Sequence, residues 1–288
     1  MKKEDEIKTS FSFNMGNQFV SKYPKQTLVK NNFAHENNLY YKNDDGLLMD
    51  LYFRNYKTNL NETDFSVSIA SFFSEAAKMS LKYRFLEEAT EKCIKLDKVN
   101  EELKSLDFCL KNRKSQRQFG KGFMSFKKIS SIFSYLFSAT YGEHLSYPSG
   151  GGLYPIKIFI YANKVEKIEK GFYQYQPYGH SLKLIQNEDL NIDNLIILPS
   201  ADNNFSFLLF YVYDSNVNKY KYGDIAGIFG AIEVGSMLQN VDLLGAALNY
   251  GTCNLGSYTT EAVLKKLKLN NYFGIYLLNS SVIGENND

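Results

Sequence analysis

The stretch "DIAGIFGAIEVGSMLQNVDLLGAAL", Asp224 to Leu248, sets the tightest limit on what this chain can become. It contains no proline and is apolar nearly all round, so it reads as one long helix that must be covered on every side. Such a helix lies between layers of a core or in a subunit interface. Glu233, Gln239, Asn240 and Asp242 interrupt it, which fits a buried helix of a soluble protein better than a membrane span.

The segments around it supply the layers. "SFKKISSIFSYLFSATYG" predicts a helix with Ile129, Ile132, Phe133 and Leu136 on one face and Gly142 placed to stop it. The run after "YPSGGGLYP" alternates like a strand, and "GFYQYQP" with "SLKLIQ" forms a hairpin about Tyr178 to His180. "FSFLLFYVYD" is apolar on both faces and is expected at the centre of a sheet. After the long helix, "NYGTCNLGSY" reads as a glycine-rich connection, followed by a helix from Thr260 to Leu267 and a last strand, "YFGIYLLN". The expected class is α+β, an antiparallel-rich sheet flanked by helices.

Residues 1–110 read differently from 111–288. They are rich in Asn, Lys and Tyr, and their one clear turn signal is "NDDG" at Asn43 to Gly46, around which a hairpin can form. Apolar residues recur at helical spacing from Phe65 to Phe85, and the charge-rich "FLEEATEKCIKLDKVNEELKSL" continues as helix. The first 110 residues are therefore expected to be a small α+β accessory region, able to dock a partner enzyme or a peptide, beside a main domain at 111–288.

Composition narrows the function. The chain has 288 residues with 44% hydrophobic content, enough for a sizeable core, and its 33 basic residues are scattered among 31 acidic ones. A net charge of +2 with no basic stripe argues against nucleic acid as a partner. Cys93, Cys109 and Cys253 lack CxxC spacing and His35, His144 and His180 are far apart, so neither a zinc site nor a disulfide framework is expected. "MKKEDEIKTSFSFNMG" has no apolar stretch after its charges and is not a secretory signal, which makes the cytoplasm the expected compartment.

Four pieces suggest chemistry. In "NRKSQRQFG", Arg113, Ser115 and Arg117 bring two guanidinium forks and a hydroxyl together, a set suited to phosphate; a solvated basic turn is the plain alternative. In "YPSGGG", glycine removes Cβ and allows positive φ, so the backbone can approach a flat or anionic ligand, or simply turn tightly into the strand. "NKYKYGD" offers Lys219, Tyr220, Lys221 and Tyr222, plausible proton-transfer groups or an ordinary surface turn. In "YGTCNLGSY", Cys253 has no His or carboxylate beside it in sequence and reads as a small buried residue.

Taken in order, these motifs resemble the nitroreductase-like flavoproteins, and among them the azoline dehydrogenases that modify ribosomal peptides of the streptolysin S and microcin B type. The resemblance runs over about Asn112 to Gly284 and rests on R-x-S-x-R-x-F at Arg113 to Phe119, YPSGGGLYP at Tyr147 to Pro155, KYGD at Lys221 to Asp224, E-x-G-x-x-x-Q-N at Glu233 to Asn240, and G-T-C-x-x-G. It implies a homodimer with the long helix at the interface and FMN bound between the subunits. By that resemblance Arg113, Ser115 and Arg117 hold the phosphate and ribityl chain. Pro148, Ser149, Gly150 and Gly151 lie against the partner's flavin, and the backbone at Leu255 and Gly256 approaches its reactive edge.

The resemblance also assigns catalysis to Lys221 and Tyr222, with Lys219 and Tyr220 as the second choice. It implies an enzyme that aromatises thiazoline or oxazoline rings on a precursor peptide, working with a cyclodehydratase. After KYGD this chain reads "IAGIFGA" where relatives carry further Arg and Tyr residues, and its end, "NSSVIGENND", lacks the usual Pro and a basic residue. Two other readings remain open: an NAD(P)H-dependent reductase of a small quinone or nitro compound, and a non-catalytic scaffold of a biosynthetic complex.

Overall fold

The structure, a computed structural model, describes residues 93–98, 102–139, 145–188, 195–196 and 203–286. The chain divides into two compact units, 1–59 and 60–288, and every described element belongs to the second. The expected hairpin about Asn43 to Gly46 and the helix from Phe65 to Phe85 lie outside the described residues, as does Gly142.

Among the described residues seven strands form one sheet in the order β1-β4-β3-β2-β5-β7-β6. They are β1 (Ile94–Lys95), β2 (Ile156–Ala162), β3 (Gly171–Gln176), β4 (Ser181–Asn187), β5 (Phe207–Asp214), β6 (Tyr250–Leu255) and β7 (Ile275–Glu285), all paired antiparallel. The helices are α1 (Leu106–Asn112), α2 (Phe126–Phe137), the single-turn α3 (Lys219–Tyr222), α4 (Ala226–Leu248) and α5 (Thr260–Lys266). The α+β reading, an antiparallel sheet flanked by helices, is what the structure has.

Period-two alternation along β2 and β5 sorts the core into two layers. Ile156, Ile158, Ile160, Leu209, Tyr211 and Tyr213 face α2 and α4, while Phe159, Tyr161, Leu208, Phe210 and Val212 face the side of α5 and Phe119. β5 is buried along its whole length, as its unbroken apolar run requires of a central strand. In α2, Ser125 caps the start by accepting from the Lys128 N–H at 3.2 Å, and the face carrying Ile129, Ile132, Phe133 and Leu136 is fully inside.

Four expectations need correction. The α2 helix ends at Phe137, before Gly142, because the Ala139 N–H turns to the Pro177 carbonyl (3.2 Å) and the Ser146 hydroxyl takes the Leu136 carbonyl. Ile94–Lys95, inside the piece read as helix, is a strand pairing with Leu182 and Ser181 and anchored by Leu96 N–H to His180 O at 3.0 Å. "YGTCNL" is the edge strand β6 instead of a turn, its Gly251 directly opposite Gly284 of β7. A Cβ at Gly284 would lie 2.7 Å from Phe119 and one at Gly251 3.0 Å from it, so this glycine pair exists to let the ring lie on the sheet. Finally, β7 runs on to Glu285 through polar "NSS", because Ser281 donates to Asn254 Oδ1 (2.8 Å) and Ser280 to the Leu255 carbonyl (3.3 Å), which satisfies hydroxyls that are fully buried.

Candidate functional site

Two groups of polar residues sit at different heights along α4. The first surrounds a cavity of about 810 Å³ lined by Lys114, Ser115, Arg117, Asp242, Thr252 and Asn286, among others. The segment 113–120 is laid along β6 and β7 by two backbone bonds, Gln116 N–H to Thr252 O and Gly120 N–H to Glu285 O, both 2.8 Å. That placement puts Ser115 and Arg117 at the cavity wall.

Arg113 takes a different direction from its neighbours. Its guanidinium meets Asp242 at 3.3 Å, and Asp242 also accepts from the Thr252 hydroxyl at 3.4 Å. Burial pushes the Asp242 carboxyl above the usual carboxylate range, opposed by Arg113 and Thr252. Arg113 thus answers an acid inside its own chain, while Lys114, Ser115 and Arg117 are among the donors that line the cavity. Asp242, Thr252 and Asn286 were not singled out from sequence; the one signal was an acid in an otherwise apolar helix, where a carboxylate stays only if it is paired.

The second group lies where α4 begins. Gly151 and Gly152 both adopt left-handed backbone, φ 62° and 67°, and Ser149 locks the loop by accepting the Tyr154 N–H on its hydroxyl (2.8 Å) and the Gly152 N–H on its carbonyl (3.0 Å). A Cβ at Gly150 would touch the Phe229 ring at 3.3 Å. One at Gly151 would fall 2.5 Å from Lys221 Nζ and closer still to the Tyr222 hydroxyl. The loop therefore faces the lysine and tyrosine of the same chain, and Pro148 is exposed at its rim.

Helix α3 sorts the tetrad. Lys221 is only 6% exposed, its ammonium 5.2 Å from the Tyr222 ring centre, and that ring stands edge-on to Phe229 at 4.9 Å. Tyr220 is 72% exposed, and Lys219 turns to Asn216 (2.5 Å) and lies over the Tyr220 and Phe273 rings. Of the two pairs, Lys221 and Tyr222 meet the glycine loop; Lys219 and Tyr220 face outward.

At the far end of β6, the Leu255 side chain is in the core and Gly256 is exposed, with open space where a Cβ would be. Cys253 is buried in the second core layer and burial raises its thiol, with Arg117 opposing, so it is a packing residue as its sequence surroundings suggest. Among the described residues no group of His, Cys, Asp and Glu could hold a metal ion, and no helix is long and apolar enough to cross a membrane.

Comparison with known proteins supplies the affiliation. The profile of the Nitroreductase family matches residues 110–279. A nitroreductase-type protein of Methanocaldococcus jannaschii, MJ1384, is 27% identical over 177 residues, 60% of this chain and 88% of that protein. Among solved structures, a nitroreductase-type protein of Ralstonia eutropha superposes with a TM-score of 0.58 at 21% identity, covering 69% of this chain and 91% of its own. The E. coli microcin synthetase McbBCD complex, solved with truncated pro-MccB17 bound, contains a chain that superposes with a TM-score of 0.54 at 19% identity, covering 88% of this chain and 87% of its own. With the family profile spanning more than half its length, the chain belongs to the nitroreductase family.

Proposed function

We propose that this protein is an FMN-dependent dehydrogenase that oxidises thiazoline or oxazoline rings of a ribosomally made precursor peptide to thiazoles or oxazoles. The observation that carries the reading is the meeting of Lys221 and Tyr222 with Gly151, which joins the KYGD and YPSGGG elements into one place. The likeness to a chain of a microcin synthetase complex supports it, since that superposition covers 88% of this chain against 69% for the Ralstonia structure.

The donor set of the cavity fits an FMN phosphate and its polyol tail. Lys114 and Arg117 offer positive charge and Ser115 a hydroxyl, while Asn286 Oδ1 is a buried acceptor with no partner among the described residues. Bound there, FMN supplies a hydride acceptor. The backbone at Leu255 and at Gly256, the latter with open space where a Cβ would be, is proposed to neighbour its ring. Arg113 contributes through Asp242, holding the cavity wall in place.

Aromatising an azoline removes a proton from the carbon made acidic by the adjacent C=N and a hydride from its neighbour. Lys221 or Tyr222 takes the proton, and the other holds the acceptor in place. From Phe229, at the loop, to Asp242, at the cavity, α4 rises about 20 Å. Two sites that far apart on one chain are reconciled by a homodimer in which the loop and Lys221 of one copy face the cofactor of the other. Gly227, Ala231 and Gly235 support it, for they recur every fourth residue on the exposed side of α4 and permit close helix packing. The cyclodehydratase that forms the azolines and the precursor peptide are the proposed partners, with the accessory region at 1–110 as docking element and the cytoplasm as the place of action.

The test is mass spectrometry of an azoline-containing peptide incubated with the yellow, flavin-loaded protein. Loss of two hydrogens per ring is expected; an unchanged peptide contradicts the proposal. The 27% identity to the archaeal nitroreductase-type protein favours a second reading, reduction of a small nitro compound or quinone by NAD(P)H. Rapid NAD(P)H consumption with such a compound, alongside an unchanged peptide, would select it.

A further inference from the structure

Asn218 stands just before α3, is 2% exposed, and bonds to α3, to the start of α4 and to β5. Its carbonyl accepts the N–H groups of both Lys221 and Tyr222 at 3.1 Å. Its side-chain Nδ2 donates to the carbonyl of Ala226, the first residue of α4, at 3.1 Å, and its Oδ1 accepts from the Tyr213 hydroxyl of β5 at 2.8 Å. The Asn218 N–H donates to Ser215 O at 3.3 Å. The chemistry fixes the amide orientation: a carbonyl only accepts, so Nδ2 must face Ala226, Oδ1 must face Tyr213, and the phenol must be the donor.

Tyr213 is itself held. Its ring stacks on Tyr276 with centroids 6.1 Å apart, and Gly230 of α4 leaves the space it occupies, since a Cβ there would meet the ring at 3.0 Å. The central strand and the start of the long helix are thus joined through the Asn218 side chain, and the Lys221 turn hangs from the main-chain carbonyl of the same buried residue. A buried amide whose nitrogen and oxygen are both engaged favours one arrangement, because turning it leaves an unsatisfied donor or acceptor inside the protein.

We infer that Asn218 is a positioning residue: it sets where the Lys221 ammonium and the Tyr222 hydroxyl stand relative to Gly151. As regards turnover this rests on the azoline dehydrogenase reading; as regards geometry it does not. Without the Asn218 side chain, α3 loses its tie to β5 and α4 while the residues of the pair remain. Displacement of about 1 Å is enough to cost up to about 100-fold in rate.

Two readouts test it on the full-length, flavin-loaded protein, comparing wild type with Asn218→Ala and with Tyr213→Phe, which keeps the Ala226 bond. The first is the pH profile of acetic anhydride labelling at Lys221, followed by peptide mass spectrometry, which needs no substrate. The second is ring oxidation. The Lys221 profile is expected to shift in Asn218→Ala, and less in Tyr213→Phe, with kcat reduced about 10- to 100-fold and KM changed less than about threefold. A Lys221 profile in Asn218→Ala that superimposes on wild type overturns the inference. If Asn218→Ala does not melt cooperatively, an unshifted profile in Tyr213→Phe overturns it. A shifted profile in a protein whose wild type leaves azoline peptides unchanged keeps the positioning role and removes the azoline reading.

Discussion

A methyl group added at Gly151 would meet the Lys221 ammonium and the Tyr222 hydroxyl at once, at a backbone position with φ 62° where a side chain is strained. Gly151→Ala should therefore cost about 1 kcal/mol or more in stability from the left-handed backbone. It should also lower ring-oxidation kcat by at least about tenfold by displacing the pair. Parallel thermal melts and steady-state kinetics check this; a variant with wild-type kcat would mean the pair does not react where it meets the loop. His180 gives a pH-dependent prediction. It is buried, bonded to Tyr175 (2.8 Å) through Nδ1 and to the Asp97 carbonyl (3.1 Å) through Nε2, and burial lowers its pKa. The folded state then favours neutral imidazole, so this stability is present above about pH 6.5, the unfolded value, and is lost as the pH falls through the lowered folded value. Tm should drop between pH 7.5 and pH 5, and His180→Asn, which tolerates the positive φ at this turn, should flatten the slope. Equal slopes in both proteins would exclude His180 as the source.

Pairing at the level of elements explains both what the sequence showed and what it concealed. Helix α2 was readable from the period of its buried face, and the central strand β5 and helix α4 from apolar runs too long and too continuous to lie outside a core. Strand β6 was not, because Gly251 and the glycine just past its end signal a turn locally, whereas Gly251 answers to Phe119, more than a hundred residues away in sequence. The course of β7 through its polar middle was concealed in the same way, since Ser280 and Ser281 find partners only once β6 lies beside them. At the candidate site the Lys-Tyr tetrad and the glycine loop were legible as motifs. Which pair faces the loop was not, for it depends on the direction of a single helical turn fixed by Asn218. Gly284→Ala should destabilise by about 2 kcal/mol through overpacking against Phe119. Adding Phe119→Ala should make the Gly284→Ala change nearly neutral, a coupling that a double-mutant cycle by chemical denaturation measures. Additive losses would show that the ring does not set the glycine requirement.

On the scale of the whole molecule, the proposed dimer assigns the two polar groups along α4 to different copies of one site. Subunits carrying Arg117→Ala and Lys221→Ala separately would then be inactive alone. Co-expressed, they would form mixed dimers with one intact site, restoring about a quarter of wild-type activity under random pairing. No recovery in verified mixed dimers would place both residues in a site built by a single chain. The central claim, that Lys221 and Tyr222 carry out proton removal in azoline oxidation, is tested most directly by the mass of an azoline peptide after incubation with flavin-loaded wild type, Lys221→Ala and Tyr222→Phe. The account predicts loss of two hydrogens per ring with wild type and a rate reduced at least about 100-fold in one or both variants, with flavin still bound. Undiminished oxidation by both variants would contradict it.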